Sequence, residues 1–149
     1  MDAKPSEFTF ERSLPVREIA EELKRLNVGN RKAYLRFRSR FYTLAWRPLI
    51  PGAEPTLARA AMGVVQQLGG RVVRFAAGLH FVEVDILLPA DVPVHKANVL
   101  VRRATSRAYK EKHKGIGCEA SNGYLWNPTT TTQTMPPLLE RTRREYETI

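Results

Sequence analysis

The sequence has one cysteine, Cys118, and no apolar run of the length that crosses a membrane. A single cysteine excludes an internal disulfide and a zinc site built from several cysteines, so a reducing compartment is expected. A membrane helix needs roughly 18 to 20 consecutive apolar residues. The opening segment, MDAKPSEFTFERS, has neither the apolar region of a signal peptide nor an arginine-rich transit pattern. We therefore expect a soluble globular protein.

Acidic residues are also scarce. The chain has 24 Lys and Arg against 15 Asp and Glu, which gives a formal net charge of +9 and a pI near 10.1. Such a charge favours polyanionic partners, nucleic acid first and an anionic membrane second. With 149 residues, of which 43% are hydrophobic, the chain can build one core of ordinary size. We expect one domain with extensions.

The segment from Arg31 to Arg47, RKAYLRFRSRFYTLAWR, contains no acid at all. Within it, apolar residues recur at odd positions and bases at even ones: Ala33, Leu35, Phe37, Phe41 and Ala45 against Lys32, Arg36, Arg38 and Arg40. A period of two predicts a strand with one face toward a core. Arg36, Arg38 and Arg40 then stand side by side on the other face, where like charges repel unless anions are near.

Two sources could supply those anions. Glu83 and Asp85 alternate along a later predicted strand, so cross-strand ion pairs are one interpretation, each worth under about 1 kcal/mol on an exposed face. The segment carries more bases than that strand has acids, however, so the second interpretation adds contacts with nucleic acid. Both interpretations stay open at this point.

Periodicity predicts the other elements. They are a short amphipathic helix at 16–26, a helix at 57–68 ended by Gly69-Gly70, strands at 71–75 and 79–88, and a basic helix from Val94 to Ala108. The arginine-rich strand and the last four of these elements follow the order βαββα. This order indicates an α+β protein with a ferredoxin-like split βαβ core, which is an antiparallel sheet with helices on one face. The predicted core residues are Leu35, Phe37, Phe41, Leu57, Ala61, Val64, Val65, Leu68, Val82, Val84 and Ile86.

The predicted organisation has three parts. Residues 1–30 form an N-terminal extension that carries the short amphipathic helix, and residues 31–115 form the ferredoxin-like, RNA-contacting domain. Residues 116–149 include four consecutive threonines and too few spaced apolar residues for a core element. This composition predicts an extended tail without independent structure that is ordered by partners.

A catalytic site is not evident in the sequence. The three histidines, His80, His95 and His113, lie far apart and outside metal-ligand spacings, and Cys118 has no neighbouring base. The sequence therefore predicts no enzyme, no metal site and no cofactor.

Binding features are stronger, because a second basic cluster runs from Lys96 to Lys114 with only Glu111 as an acid. Arginine binds phosphates in bidentate fashion and stacks on bases, so two such clusters near Tyr34, Tyr42 and Trp46 suit structured RNA. The predicted RNA-binding residues are Lys32, Arg36, Arg38, Arg40, Arg47, Lys96, Arg102, Arg103, Arg107 and Lys110.

Three stretches, FYTLAWRP, LGGRVVRF and HFVEVDILLP, resemble the small-subunit ribosomal protein six family between about Tyr34 and Ala108. The alternative is the ribosomal protein ten family, whose third strand leads into a basic segment like LLPADVPVHKANVLVRR. Either resemblance implies a non-catalytic, rRNA-binding protein of the ribosomal small subunit with ribosomal proteins as neighbours. The acidic leader and the Thr/Pro tail resemble the added ends of mitochondrial versions, which implies the mitochondrion, with the cytoplasm as the alternative.

A different class of protein is also compatible with the basic charge. Respiratory-chain and ATP-synthase complexes contain small basic accessory subunits, in which these arginines would meet acidic protein surfaces or cardiolipin.

Overall fold

The computed structural model describes residues 7–14, 18, 21, 34–113 and 125–135. Within these residues lie five strands, two helices and a 3₁₀ turn. In chain order they are β1 (Phe8–Ser13), β2 (Tyr34–Thr43), the turn (Leu44–Trp46), α1 (Glu54–Gln67), β3 (Arg71–Gly78), β4 (Phe81–Pro89), α2 (Val94–Lys112) and β5 (Trp126–Thr134). The predicted α+β class is confirmed.

The strands form one antiparallel sheet in the order β1-β3-β4-β2-β5. The register of β2 on β4 places Arg38 opposite Asp85 and Arg40 opposite Glu83. This is the cross-strand relationship that the alternation in the two segments predicted. Its consequence is that the basic positions of β2 and the acidic positions of β4 share one face.

The core lies between the two helices and the opposite face of the sheet. Phe41 of β2, Val84 of β4, Leu57 of α1 and Val101 of α2 are all buried in it. Of the other predicted core residues, Phe37, Val64 and Leu68 pack against this core from half-buried positions, and Ala61, Val65, Val82 and Ile86 are buried in it. The prediction for Leu35 is wrong, since its side chain is 45% exposed. Alternation predicts the face that a strand residue takes, but not how far the helices cover that face.

The end of α1 depends on two glycines, as the sequence predicted. Gly69 has φ +81°, in the left-handed region that favours glycine at a helix C-terminus. Gly70 then begins the return toward β3, and a Cβ placed there would overlap the carbonyl oxygen of Leu87. The turn out of α1 therefore favours glycine at position 69 for its backbone conformation and requires it at position 70 for the close approach to β4.

The N-terminal region differs from the prediction of a separate extension. Phe8–Ser13 forms the edge strand β1 and pairs antiparallel with β3, with Glu11 opposite Ala76. The amphipathic helix predicted at 16–26 lies outside the described residues apart from Glu18 and Glu21, which are both helical. The leader therefore contributes a strand to the domain, which a boundary at residue 30 did not anticipate.

The prediction of an extended tail from residue 116 is wrong for Trp126–Thr134. This segment is β5, which pairs antiparallel with β2 and sets Thr130 opposite Phe41. Threonine fits a pleated strand well, and the buried Trp126 packs against Phe41. The threonine run looks like low complexity in the sequence, because the β2 residues that stabilise it as a strand lie far away along the chain. The rest of the predicted tail lies outside the described residues.

Candidate nucleic-acid interface

The face of the sheet away from α1 and α2 carries a network of four arginines and four carboxylates, here called the arginine network. Its members are Arg36, Arg38, Arg40, Arg74, Glu7, Glu11, Glu83 and Asp85. Strand geometry places them together, because even positions of β2 and odd positions of β4 point to this face.

Asp85 is the most buried acid of the network, with no exposed side-chain surface. Its Oδ1 accepts from Nε of Arg38 at 2.7 Å, and its Oδ2 accepts from Nη2 of Arg38 at 2.9 Å and from Nη2 of Arg36 at 3.1 Å. The hydrogen bond to Asp85 raises the pKa of Arg38, which keeps the guanidinium charged despite its partial burial.

Glu83 is the second centre of the network. Its Oε1 accepts from Nη2 of Arg40 at 2.9 Å, and its Oε2 accepts from Nη1 of Arg74 at 2.6 Å. Arg40 also lies over the ring of Phe81, with 4.2 Å from Cζ to the ring centroid. Burial lowers the pKa of Arg40, but hydrogen bonds with Glu7 and Glu83 outweigh it, so the pKa is raised.

Strand β1 completes the network from the sheet edge. Glu7 pairs with Arg40 at 3.0 Å, and Glu11 pairs with Arg74 at 3.0 Å. The idea that Glu83 and Asp85 leave the arginines short of anions is therefore wrong, since Glu11 of β1 and Glu7, directly before β1, supply two more acids. Each of Arg36, Arg38 and Arg40 has a carboxylate partner within the described part of the chain.

A separate basic cleft lies between α2, the 3₁₀ turn and the start of β5. Its volume is about 770 Å³. The cations that line it are Arg102, Arg103, Arg107 and Lys110, with Glu111 as the acid among its lining residues, and its apolar lining comes from Leu44, Leu125, Trp126 and Pro128. Four of the predicted binding residues therefore meet at one surface, here called the α2 cleft.

The cations of the α2 cleft follow from helical spacing. Arg103, Arg107 and Lys110 are separated by four and three residues, so they lie on one side of α2. Arg103 and Arg107 are exposed, and neither has an ion-pair partner among the described residues. Like charges four residues apart destabilise a helix slightly, so an anion bound beside Arg103 and Arg107 would stabilise this part of α2.

Two hydrogen bonds fix the walls of the cleft. Nε1 of the buried Trp126 donates to Oγ1 of Thr105 at 2.8 Å, and Nη1 of Arg102 donates to the carbonyl oxygen of Pro128 at 2.7 Å. Because both bonds join α2 to β5, the cleft is preformed. Trp126 and Leu44 were missed by the sequence analysis, since only the fold brings them to α2.

The remaining predicted residues lie elsewhere. Lys96 is exposed in the first turn of α2, and Arg47 is half-buried directly after the 3₁₀ turn. Lys32 and Cys118 lie outside the described residues. His80 contacts Trp46 between β3 and β4, whereas His95 and His113 lie at opposite ends of α2. Within the described ranges, no group of three or more His, Cys, Asp or Glu residues is arranged to hold a metal ion.

Neither helix in the described ranges has the length and apolar content that crossing a membrane requires.

No family model and no curated protein matches the sequence. Solved structures do match. A protein named "putative transposase" from Deinococcus radiodurans R1 superposes with a TM-score of 0.63 at 14% identity, over 78% of this chain and 90% of that one.

A second structure, a REP-associated tyrosine transposase bound to a REP hairpin, gives a TM-score of 0.52 at 12% identity. The match covers 76% of this chain and 62% of the transposase. At these identities the likeness shows a shared fold.

The comparison corrects the functional expectations. The structural neighbours are transposases and not ribosomal proteins, so the resemblance to the ribosomal protein six and ten families is wrong, and so is the predicted rRNA-binding role in translation. The accessory-subunit alternative fails for the same reason. Transposases are enzymes that cut and join DNA, which also overturns the expectation of a protein without catalysis. The structure and the comparisons do not test the predicted mitochondrial localisation, which stays a prediction.

Proposed function

We propose that this chain binds hairpin DNA in a transposition-related reaction, and that the α2 cleft is its main DNA contact. The main observation that supports this proposal is that four cations line one cleft: Arg102, Arg103, Arg107 and Lys110. Arginine forks match phosphate geometry, and a cationic groove with an apolar floor suits a sugar-phosphate backbone. The printed description of one structural neighbour, bound to a REP hairpin, supports a hairpin as the form of the ligand.

The dimensions of α2 fit this role. Lys96, Arg103, Arg107 and Lys110 recur at spacings of seven, four and three, so the stripe extends along one side of the helix. At 1.5 Å per residue, Lys96 and Lys110 are separated by roughly 21 Å along the axis. Six base pairs of B-DNA rise roughly 20 Å. The stripe can therefore follow a backbone over about half a helical turn of DNA.

The arginine network has a different role in this proposal. Its four arginines face four carboxylates, so the network is balanced in charge without a ligand. Displacing Asp85 or Glu83 from their arginines by phosphate would leave buried carboxylates unpaired, which is costly. We therefore assign Arg36, Arg38 and Arg40 to the stability of the sheet and do not carry over their predicted contact with nucleic acid.

We also propose that the core of the fold is ferredoxin-like. Between β2 and β5 the elements follow the order βαββαβ. Strand order β3-β4-β2-β5 corresponds to second, third, first and fourth strands of that unit, with α1 and α2 on one face. In this description β1 is an added strand beside β3.

Binding to labelled oligonucleotides tests the proposed function. We expect the protein to bind a DNA hairpin more tightly than an RNA hairpin of the same sequence or a blunt DNA duplex, as measured by fluorescence anisotropy. The double variant Arg103→Gln/Arg107→Gln should weaken hairpin binding, whereas Arg59→Gln, at an exposed position of α1, should bind nearly normally. Equal affinity of wild type and the double variant would contradict the assignment of the cleft. Strand cleavage of the same hairpin, followed on denaturing gels, tests for catalysis.

A further inference from the structure

A small hydrophobic cluster lies on the face of the sheet that carries the arginine network, here called the network face. Its buried members are Val73 of β3 and Leu87 of β4, each with 2% of its surface accessible. Leu87 is an odd position of β4, so it shares this face with Glu83 and Asp85. It does not belong to the core that α1 and α2 cover. The cluster is therefore a second apolar surface, on the other side of the sheet.

The described residues account for only part of the cover over this cluster. Those that pack against Val73 and Leu87 are Leu14 and Tyr34, which are themselves half-buried. Both α1 and α2 lie on the opposite face of the sheet. Side chains on a sheet face that are as inaccessible as the main core need a packed layer above them. A further apolar segment is therefore needed over this end of the network face.

The chain itself contains such a segment. Residues 15–33 connect Leu14 to Tyr34, so the segment begins and ends at the cluster. Glu18 and Glu21 are helical and exposed, as expected for the polar side of an amphipathic helix. The apolar residues of the segment recur at helical spacing, at Val16, Ile19, Ala20, Leu23 and Leu26.

The length of this segment agrees with the width of the face. Strands β1 and β2 are separated by β3 and β4, so three strand spacings lie between them, roughly 14 Å. A helix over residues 16–26 extends roughly 16 Å. One helix can therefore cross the network face from β1 to β2, and residues 27–33 remain for the turn into Tyr34.

A buried donor of Arg36 lies at the β2 end of such a helix. Arg36 is opposite Leu87, and its side chain is 11% exposed. Its Nη2 donates to Asp85, but its Nε is buried and has no hydrogen-bond partner among the described residues. Buried donors are nearly always paired. The last carbonyl groups of a helix are free acceptors and attract cations, so a helix that ends here would satisfy this atom.

We propose that residues 16–26 dock as an amphipathic helix on the cluster of Val73 and Leu87, with the C-terminal end toward Arg36. The occupant is a segment of the same chain, because Leu14 and Tyr34 anchor both of its ends at the cluster. The docked helix keeps water from the Arg36 end of the arginine network and closes this end of the network face to a polyanion. The inference does not depend on DNA binding at the α2 cleft.

Thiol labelling of the full chain tests the docking. In a Cys118→Ser background, Leu87→Cys places the only thiol of the chain at the cluster. We expect iodoacetamide to modify this thiol slowly under native conditions. Ile19→Glu should raise the rate by at least about tenfold, because a carboxylate on the apolar side of the helix disfavours docking. Glu18→Gln, at an exposed position of the same helix, should leave the rate unchanged.

A second thiol position separates undocking from unfolding. Val84 is buried between the sheet and the two helices, so a thiol introduced by Val84→Cys should stay protected in the Ile19→Glu variant. If Ile19→Glu exposes both positions, the milder Ile19→Ala decides: it should increase labelling at position 87 and leave position 84 protected. Equal exposure of both positions in Ile19→Ala would contradict a separate docking step.

Three further results would overturn the proposal. Rapid labelling at position 87 beside an unchanged segment 15–33 would mean that nothing covers the cluster. Slow labelling that Ile19→Glu leaves unchanged would assign the cover to another part of the chain. Protection that disappears when the protein is diluted would assign the cover to a second copy.

Discussion

Asp85 holds Arg38 with both of its carboxylate oxygens, at 2.7 Å to Nε and 2.9 Å to Nη2, in the middle of the sheet. The same carboxylate also accepts from Arg36, so one fully buried acid balances two guanidinium groups. A pair of this kind differs from a surface ion pair, because the removal of one partner leaves a charge without compensation where little water reaches it.

The first prediction concerns this acid. Asp85→Asn should lower the free energy of unfolding by about 1 to 3 kcal/mol, since Arg36 and Arg38 lose a charged acceptor while water still reaches Arg38, whose side chain is 30% exposed. Urea denaturation followed by circular dichroism measures it. Glu11→Gln is the matched control: the Glu11 side chain is 50% exposed and pairs with Arg74 at the sheet edge, so its loss should cost under about 1 kcal/mol. Similar costs for the two variants would contradict the burial argument.

The second prediction compares two glycines of the region around α1. In Gly70→Ala, the new methyl group would meet the carbonyl oxygen of Leu87 and lie 3.2 Å from side-chain atoms of Val65 and Leu88, so we expect a loss of about 1 to 3 kcal/mol. Gly63 lies within α1 and faces open space. Gly63→Ala should therefore stabilise the protein by about 0.5 to 1 kcal/mol through helix propensity. Thermal melts of the two variants should shift in opposite directions.

The third prediction concerns the attachment of β5. Met135 donates its amide hydrogen to the carbonyl oxygen of Arg36 at 2.9 Å, so alternate amides of this strand should exchange slowly with deuterium in the isolated protein. Trp126→Phe removes the hydrogen bond to Thr105 and should speed exchange throughout β5. The same substitution at the exposed Trp46 should leave β5 protected. Unprotected amides at 126–134 in wild type would instead favour the tail predicted from the sequence.

The fourth prediction quantifies the role of the α2 cleft. If Arg103 and Arg107 each contact one phosphate, each Arg→Gln change should reduce the slope of log affinity against log salt concentration by about 0.7 to 0.9. The measurement needs hairpin titrations at several salt concentrations. Arg59→Gln changes the net charge equally and should leave the slope as it is. A slope that falls equally in all three variants would indicate a general charge effect and not a site.

The sequence predicted the centre of the sheet and missed its edges, for a physical reason. Alternation in β2 and β4 is strong enough to define a face, and the opposed charges of Arg38 and Asp85 define the register. Strand β1 alternates only over its first four residues, Phe8 to Glu11, and β5 is a run of polar residues, so neither has the sustained apolar alternation that marks a strand. Their pairing depends on partners that are distant in the sequence.

The sequence likewise predicted one part of the candidate site and missed another. The cations of α2 were evident from composition and helical spacing, because a single helix holds all of them. The cleft was not evident from the sequence, since its apolar lining comes from other segments of the chain, at Leu44, Leu125 and Trp126. For the arginine network the reverse occurred. The β2 arginines were conspicuous, but the acids that neutralise part of the network, Glu7 directly before β1 and Glu11 within it, could be placed only by the fold.

The order of strands also determines when the sheet can be completed during synthesis. Strand β2 lies between β4 and β5, so one of its edges stays without a partner until Trp126–Thr134 has left the ribosome. Until then Asn98 and Thr105 of α2 also lack their hydrogen-bond partners in β5, Thr132 and Trp126. A nascent chain in this state presents an unpaired strand edge to other chains. Among the described strands, β5 is the last to emerge, and its polar threonines then cover this edge of β2.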